Sequence, residues 1–120
     1  MLNLKTLVGT LFVSVSLFAA SAQTIIEDNG CLACHGITHR NLAPSFASIG
    51  TQNLNNEGSF AKATIMGSIR NGSMGKYQAF NDNIMPPFPD LTDEELSRVA
   101  DYILHKAPRL RGHRDQDYDY

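Results

Sequence analysis

The sequence predicts an all-α domain, and three observations support this. Residues 59–70 and 92–104 repeat apolar side chains at intervals of three and four, the spacing of one face of an α-helix. No run of alternating apolar and polar residues predicts a β-strand, and there is no internal repeat. Clusters of Gly, Asn and Pro separate the helical segments, so we expect a few packed helices joined by loops.

Residues 1–22 are predicted to be a secretory signal peptide. Lys5 precedes an apolar run over residues 7–20, and Ala20, Ser21 and Ala22 provide the small residues required before a cleavage site. The run is short and interrupted by polar residues, whereas a membrane-spanning helix needs about 20 predominantly apolar residues. We therefore expect export, cleavage before Gln23 and no stable membrane anchor afterwards.

The rest of the chain is predicted to form one small domain, residues 23–108, followed by a tail. Residues 23–120 contain nine basic and twelve acidic side chains, a formal charge of −3, which gives no indication of binding to nucleic acid. A domain of this size has a small core and often depends on a covalent or metal-based cross-link. Residues 109–120 carry three arginines and then three aspartates, and we expect them to be solvated and flexible.

The first two predicted elements are a helix and a long loop. The helix covers residues 24–36 and leads into the two cysteines of the chain. The following polar stretch contains Pro44 and the run Asn-Leu-Asn-Asn at residues 53–56. Because turn-forming residues are so frequent there, we expect no regular structure before residue 59.

Two further helices are predicted, separated by an irregular segment over residues 73–89. The helix over residues 59–70 ends at Gly72 and has an apolar face formed by Ala61, Ile65, Met66 and Ile69. The last helix begins with Thr92 and Glu95 at the spacing of a capping box. Its apolar face is formed by Leu96, Val99, Ala100, Ile103 and Leu104.

The two cysteines lie in the sequence Cys31-Leu-Ala-Cys34-His35, for which several functions are possible. A disulfide is the simplest expectation in an oxidising compartment. A thioredoxin-like redox pair would follow a strand in a βαβ unit, and the sequence predicts no such unit. A structural zinc site would need four ligands, but the other histidines are scattered along the chain.

Covalent attachment of a haem fits this spacing best. Thiols three residues apart on one helical turn point the same way, so both can bond the vinyl groups of a single porphyrin. The histidine that follows can then reach the iron beneath the ring. We therefore predict one covalent haem c, attached to Cys31 and Cys34 and ligated by His35.

The occupant of the sixth iron position distinguishes a carrier from a catalyst. Met85 is favoured because Pro86 and Pro87 stiffen the chain beside it and can hold its sulfur in a set place. Met74 lies between glycines and is the second choice. The remaining candidates fit other roles better, namely Met66 on an apolar helix face, His105 at a helix end and His39 close to His35.

The order of these motifs resembles the class I cytochromes c, most closely the short monohaem cytochromes of bacterial periplasms. The resemblance spans residues 24–107 and implies helices packed around one covalently bound haem. The blocks that carry it are NGCLACHG at 29–36, LAP at 42–44, IRNGS at 69–73, IMPP at 84–87 and the helix at 96–104.

This resemblance implies roles for individual residues. His35 and Met85 would be the axial ligands of the iron, with Cys31 and Cys34 forming the thioether bonds. The carbonyl of Pro44 would accept a hydrogen bond from the ligating histidine. Two further roles are implied: Tyr77 would bond a haem propionate, and Gly30 would let the first helix pack closely on the last, near Tyr102.

Some positions depart from the family pattern. Ala43 stands where the family usually has glycine before the loop proline. Phe88 stands where short members often have an amide that bonds the ligand sulfur. Residues 78–83 and the charged tail are additional.

The expected function is one-electron transfer in the periplasm, between a respiratory donor and an oxidase or reductase, rather than catalysis. The protein would dock transiently with redox partners, and its basic residues Arg40, Lys62, Arg70 and Lys76 suggest an acidic partner surface. One alternative is a dedicated cytochrome subunit of a periplasmic dehydrogenase, for example of sulfur compounds. A haem sensor that binds small ligands is the other.

Overall fold

The computed structural model describes residues 19–80 and 82–107. Most of the predicted signal peptide, the predicted domain end at residue 108 and the charged tail lie outside them. Within them the α-helices are α1 (Ala22–Asp28), α2 (Phe46–Glu57), α3 (Ala61–Asn71) and α4 (Asp93–Asp101), the last continued by a π-helix, Tyr102–Lys106. Two-residue strands β1 (Ser73–Met74) and β2 (Ile84–Met85) pair antiparallel. The mainly helical architecture confirms the predicted all-α class.

Helix α1 is shorter than predicted. Ser21 caps its first turn by accepting from the Thr24 amide, so the predicted cleavage before Gln23 would remove this cap. The helix ends at Asp28 because Gly30 adopts a φ of 68°, a left-handed conformation that interrupts helical geometry. A Cβ at Gly30 would meet no atom within 4 Å, so the predicted close packing on the last helix is wrong. The glycine provides a turn instead.

Helix α2 occupies most of the stretch that was predicted to be a loop, and that prediction is wrong. Ser45 caps the helix by accepting from the Ser48 amide. The inward face places Phe46, Gly50 and Asn53 at helical spacing, and all three are buried. The polar run at its end includes Asn53, which is buried and donates from its side chain to the Ile49 carbonyl at 2.8 Å and to the Tyr77 hydroxyl at 3.2 Å. Packing therefore overrides the weak helix propensity of these residues.

Helices α3 and α4 form as predicted and pack against each other. The predicted capping box is present, with Thr92 and Glu95 exchanging both hydrogen bonds. Leu96 is completely buried, at 0% exposure. Ion pairs between Lys62 and Asp101 and between Arg70 and Asp93 join the two helices at the surface. The core beneath is formed by Ile25, Ile26, Phe46, Ala61, Ile65, Ile69, Leu96, Val99, Ala100, Tyr102, Ile103, Leu104 and Ala107.

The segment between α3 and α4 is more ordered than predicted. Strands β1 and β2 align Ser73 with Met85 and Met74 with Ile84. Gly72, with a φ of 75°, turns the chain from α3 into β1, and a Cβ there would lie 2.6 Å from the Met85 carbonyl oxygen. No helix in the described part of the chain is long and apolar enough to cross a membrane.

Candidate functional site

A cavity of about 510 Å³ opens between two segments that are distant in sequence. We call residues 31–44 the cysteine segment, and residues 72–80 and 82–88 the methionine loop. Both segments line the cavity, and we call the lining that each contributes a wall. Cys31, Cys34 and His35 lie on the wall of the cysteine segment, whereas Ser73 and Met85 lie on that of the methionine loop. The base between the walls is mainly apolar and is lined by Phe46, Ile49, Ile65, Ile69, Val99 and Ile103.

The cysteines occupy a short 3₁₀ turn at the edge of the cavity. Backbone hydrogen bonds from Cys34 and His35 to the Cys31 carbonyl close the turn at 3.2 and 2.9 Å. Both thiols are free, so they are not joined in a disulfide. Burial raises the pKa of the Cys31 thiol, with a smaller opposing effect from a backbone hydrogen bond. Cys34 is exposed. Both cysteines line the cavity, and their free thiols can form covalent bonds to a bound group.

His35 is the most firmly held side chain of the site. It is 8% exposed, and its ring stacks on Phe46 with centroids 5.4 Å apart. Nδ1 lies 2.7 Å from the Pro44 carbonyl, which can only accept, so Nδ1 carries the hydrogen. Burial lowers the pKa of the imidazole, and the Pro44 hydrogen bond opposes this. The neutral ring therefore keeps a lone pair on Nε2, the form that binds a metal.

The strand pairing in the methionine loop distinguishes Met85 from Met74, the two methionines that the sequence favours as iron ligands. Residues opposite each other in an antiparallel pair project to the same face, so Met85 shares a face with Ser73 and Met74 shares one with Ile84. Met85 is half-buried and packs against the core, whereas Met74 and Ile84 are each 69% exposed. The inward face of the loop therefore carries Met85, with Met74 at the rim.

The other sequence candidates lie away from the cavity walls. Met66 is partly buried and packs against the core. His39 is exposed and bonds Thr38 through Nδ1, and His105 is exposed at the end of the last helix. None of the three lines this cavity.

Tyr77 lines the cavity together with Asn53, which sequence reasoning missed. Asn53 is only 3% exposed and donates to the Tyr77 hydroxyl at 3.2 Å. Burial raises the pKa of Tyr77, the Asn53 N–H lowers it, and the charge of Glu57 raises it again. The phenol therefore stays neutral and can donate its own hydrogen. A signal for Asn53 was its place seven residues after Phe46 on one helical face, which the loop prediction concealed.

The donor atoms of the site fit a haem better than a bare metal ion. Among the described residues, no group of three or more His, Cys, Asp or Glu side chains could hold an ion. The cavity instead presents two free thiols and a neutral imidazole on one wall, a thioether on the other and an apolar base. A flat apolar macrocycle with a central iron satisfies each of these features.

A helical domain built around such a cavity, with the C-x-x-C-H turn on its wall, defines a c-type cytochrome. Residues 19–103 match the family described as cytochrome c oxidase, cbb3-type, subunit III. Because the match covers more than half of the chain, the protein belongs to this family of cytochrome c domains. It is a haem c-containing electron-transfer protein rather than an enzyme, and Cys31 and Cys34 fit the attachment motif.

Individual relatives are small cytochromes. The chain is 28% identical to cytochrome c-552 of Nitrosomonas europaea over 99 residues, 80% of this chain and 91% of the relative. It is 27% identical to cytochrome c-551 of Pseudomonas aeruginosa over 96 residues, 80% of this chain and 86% of the relative. The crystal structure of wild-type Nitrosomonas europaea cytochrome c552 matches with a TM-score of 0.58 at 26% identity, covering 67% of this chain and 93% of that chain.

These findings confirm the class I cytochrome c fold and the single covalent haem c that were predicted from the sequence. The roles of individual residues stay predictions. The structure brings Cys31, Cys34, His35, Pro44, Tyr77 and Met85 to one cavity.

Proposed function

We propose that this protein is a periplasmic one-electron carrier in which His35 and Met85 ligate the haem iron from opposite sides. The observation that carries this proposal is the presence of both side chains on different walls of one cavity, with Met85 on the inward face of its strand pair. When bound, the haem supplies the one-electron couple. With His35 and Met85 both holding the iron, no coordination site would remain open to substrate.

The cysteine segment would hold the histidine ligand in one orientation. The Pro44 carbonyl fixes the tautomer of His35 and raises the basicity of Nε2, as hydrogen-bond acceptors behind ligating histidines do. The stacked Phe46 ring limits rotation of the imidazole. Covalent attachment through Cys31 and Cys34, directly before the ligand in the chain, would keep the iron within its reach.

Tyr77 is proposed to donate a hydrogen bond to a haem propionate. Its hydroxyl oxygen already accepts from Asn53, which leaves the O–H for an acceptor in the cavity. The raised pKa of Tyr77 keeps this donor protonated at neutral pH. Asn53 is itself held by the Ile49 carbonyl, so the pair forms a fixed polar point in an otherwise apolar base.

The rim of the cavity suggests how a redox partner docks. Leu42, Met74 and Ile84 line the cavity and are among the most exposed large apolar residues. Transient electron-transfer complexes use small interfaces, and we propose that this rim forms the apolar part of one.

Charge contributes less to this surface than the sequence suggests. Lys62 and Arg70 are each paired with an aspartate of α4, and at the cavity Lys76 is accompanied by Asp82. We therefore propose a mainly apolar contact, for which the rate of electron transfer depends weakly on ionic strength.

The first experiment uses protein made from the full chain in a host that attaches haem c and exports it. Intact mass should show one covalent haem on a chain that begins at Gln23, recovered from the periplasm. The ferric protein should show the weak near-infrared sulfur-to-iron band of His/Met ligation. Met85→Ala should lose this band, whereas the matched Met74→Ala should keep it. A band that survives in Met85→Ala and disappears in Met74→Ala would contradict the assignment.

A further inference from the structure

A side-chain hydrogen bond joins the two walls of the cavity at their exposed rim. Asn83 Nδ2 donates to the Leu42 carbonyl oxygen at 2.6 Å, across 41 residues of sequence. Both residues line the cavity, Leu42 in the cysteine segment and Asn83 in the methionine loop. The bond therefore links the wall that carries His35 to the wall that carries Met85.

On the Leu42 side, neighbouring hydrogen bonds fix the accepting carbonyl. Asn41 donates from its side chain to the Ala33 carbonyl at 3.2 Å, and Ala43 donates from its backbone to the Cys34 carbonyl at 3.0 Å. Leu42 is thus held on both sides against the turn that contains the cysteines. Its carbonyl cannot shift without disturbing that turn.

On the other side, Asn83 lies two residues before Met85. Its backbone amide donates to the Phe80 carbonyl at 3.0 Å, and β2 begins immediately after it. Hydrogen bonds from Lys76 and Phe88 hold the same loop to α3. The side chain of Asn83 instead holds the loop to the cysteine segment.

We infer that Asn83 is a positioning residue that keeps Met85 on the iron by tying the methionine loop to the cysteine segment. This rests on the proposed His/Met ligation. Release of the Met85 sulfur requires the two walls to separate, and separation breaks the bond from Asn83 to Leu42. Losing a neutral hydrogen bond of this kind changes an opening equilibrium by roughly two- to tenfold.

The test is competition of free imidazole with Met85 in the ferric holoprotein. Asn83→Ala removes the side chain, and Asn83→Asp keeps its size but lacks the N–H donor. Gln78→Ala, an exposed change in the same loop, is the matched control. Loss of the near-infrared band with added imidazole gives the apparent dissociation constant, and circular dichroism checks that each variant is folded. We expect both Asn83 variants to bind imidazole roughly two- to tenfold more tightly, with Gln78→Ala unchanged.

The outcomes separate this inference from the proposed ligation. Wild-type affinity in both Asn83 variants, with the band present before imidazole is added, would overturn the role of Asn83 and leave the His/Met assignment standing. A change confined to Asn83→Asp would be an effect of charge and would also overturn it. Absence of the band in the wild-type ferric protein would overturn the ligation itself, and the inference with it.

Discussion

The two walls of the cavity hold their proposed iron ligands by different means. On the cysteine segment, His35 is 8% exposed, hydrogen-bonded to Pro44 and stacked on Phe46, and it follows the attachment cysteines directly in the chain. On the methionine loop, Met85 is half-buried in a two-residue strand whose outward neighbour, Ile84, is 69% exposed. The proposed histidine ligand is fixed by its burial and by its place directly after the cysteines, whereas the proposed methionine ligand depends on a small set of contacts made by an exposed loop.

This difference predicts that the two walls respond differently to mutation. A change near His35 disturbs a packed and bonded unit, so its effects should be all-or-none. A change in the methionine loop alters an equilibrium between bound and released sulfur, so its effects should be graded. Variants on the two walls should therefore fail differently.

Replacing His35 should have the largest effect. His35→Ala removes the proposed fixed ligand and its contact with Phe46, so we expect loss of the folded haem-bound protein rather than a weakened form. Met85→Ala should retain covalent haem and a helical fold. Haem content by mass and helical circular dichroism measure both variants. Equal losses in the two would show that the walls do not differ in this way.

Replacing Gly72 should have an intermediate effect. In Gly72→Ala the new Cβ would lie 2.6 Å from the Met85 carbonyl, in a backbone conformation with a φ of 75° that disfavours side chains. We expect a loss of about 1–3 kcal/mol in the free energy of unfolding and weaker retention of the Met85 sulfur. Denaturant unfolding and the near-infrared band measure these two effects.

Gly67→Ala is the control for this glycine comparison. Gly67 lies inside α3, and a Cβ there would meet no atom within 4 Å. Alanine should therefore stabilise the protein by about 0.5–1 kcal/mol through better helix propensity. Destabilisation by both substitutions to the same extent would show that glycine geometry at the methionine loop has no special role.

The smallest expected effect is the pH dependence of stability that Tyr77 contributes. Tyr77 ionises near pH 10 in the unfolded chain, whereas burial raises its pKa in the folded protein. The folded state therefore holds this proton more tightly, and stability falls as pH rises above about 10. Tyr77→Phe lacks this ionisable group. Between about pH 8 and pH 10.5 the free energy of unfolding should therefore decrease less in Tyr77→Phe than in the wild type, with a difference of under about 1 kcal/mol. Denaturant titrations at both pH values measure the difference, and identical losses would contradict it.

Local sequence signals predicted α3 and α4, the helices whose apolar residues repeat at helical spacing. Thr92 and Glu95 indicated the start of α4 and the apolar spacing from Leu96 onward its buried face, because capping and periodicity act within a few residues. Helix α2 was missed because its polar end is stabilised by the packing of Gly50 on Ile103 and by the hydrogen bond from Asn53 to Tyr77. Those contacts depend on elements far away in the chain.

The residues of the candidate site likewise include some that a local motif predicts and others that depend on distant contacts. The C-x-x-C-H motif indicated haem attachment and the histidine ligand because spacing alone makes them possible. The prolines favoured Met85 through backbone stiffness, and the strand register supports this choice. The hydrogen bonds of Asn53 and Asn83 could not be predicted from sequence, since their partners Tyr77 and Leu42 lie 24 and 41 residues away.

At Gly50, α2 meets the C-terminal π-helix with peptide group against peptide group, because a Cβ there would lie 2.3 Å from the Ile103 carbonyl oxygen. The spacing of these two helices is thus set by main-chain atoms and does not depend on side-chain volume. Ile49 and Asn53, close to Gly50 in α2, and Ile103, its partner in this contact, all line the cavity. Substitutions intended to change the size of the cavity should therefore be made at its rim and should leave the contact between Gly50 and Ile103 unchanged.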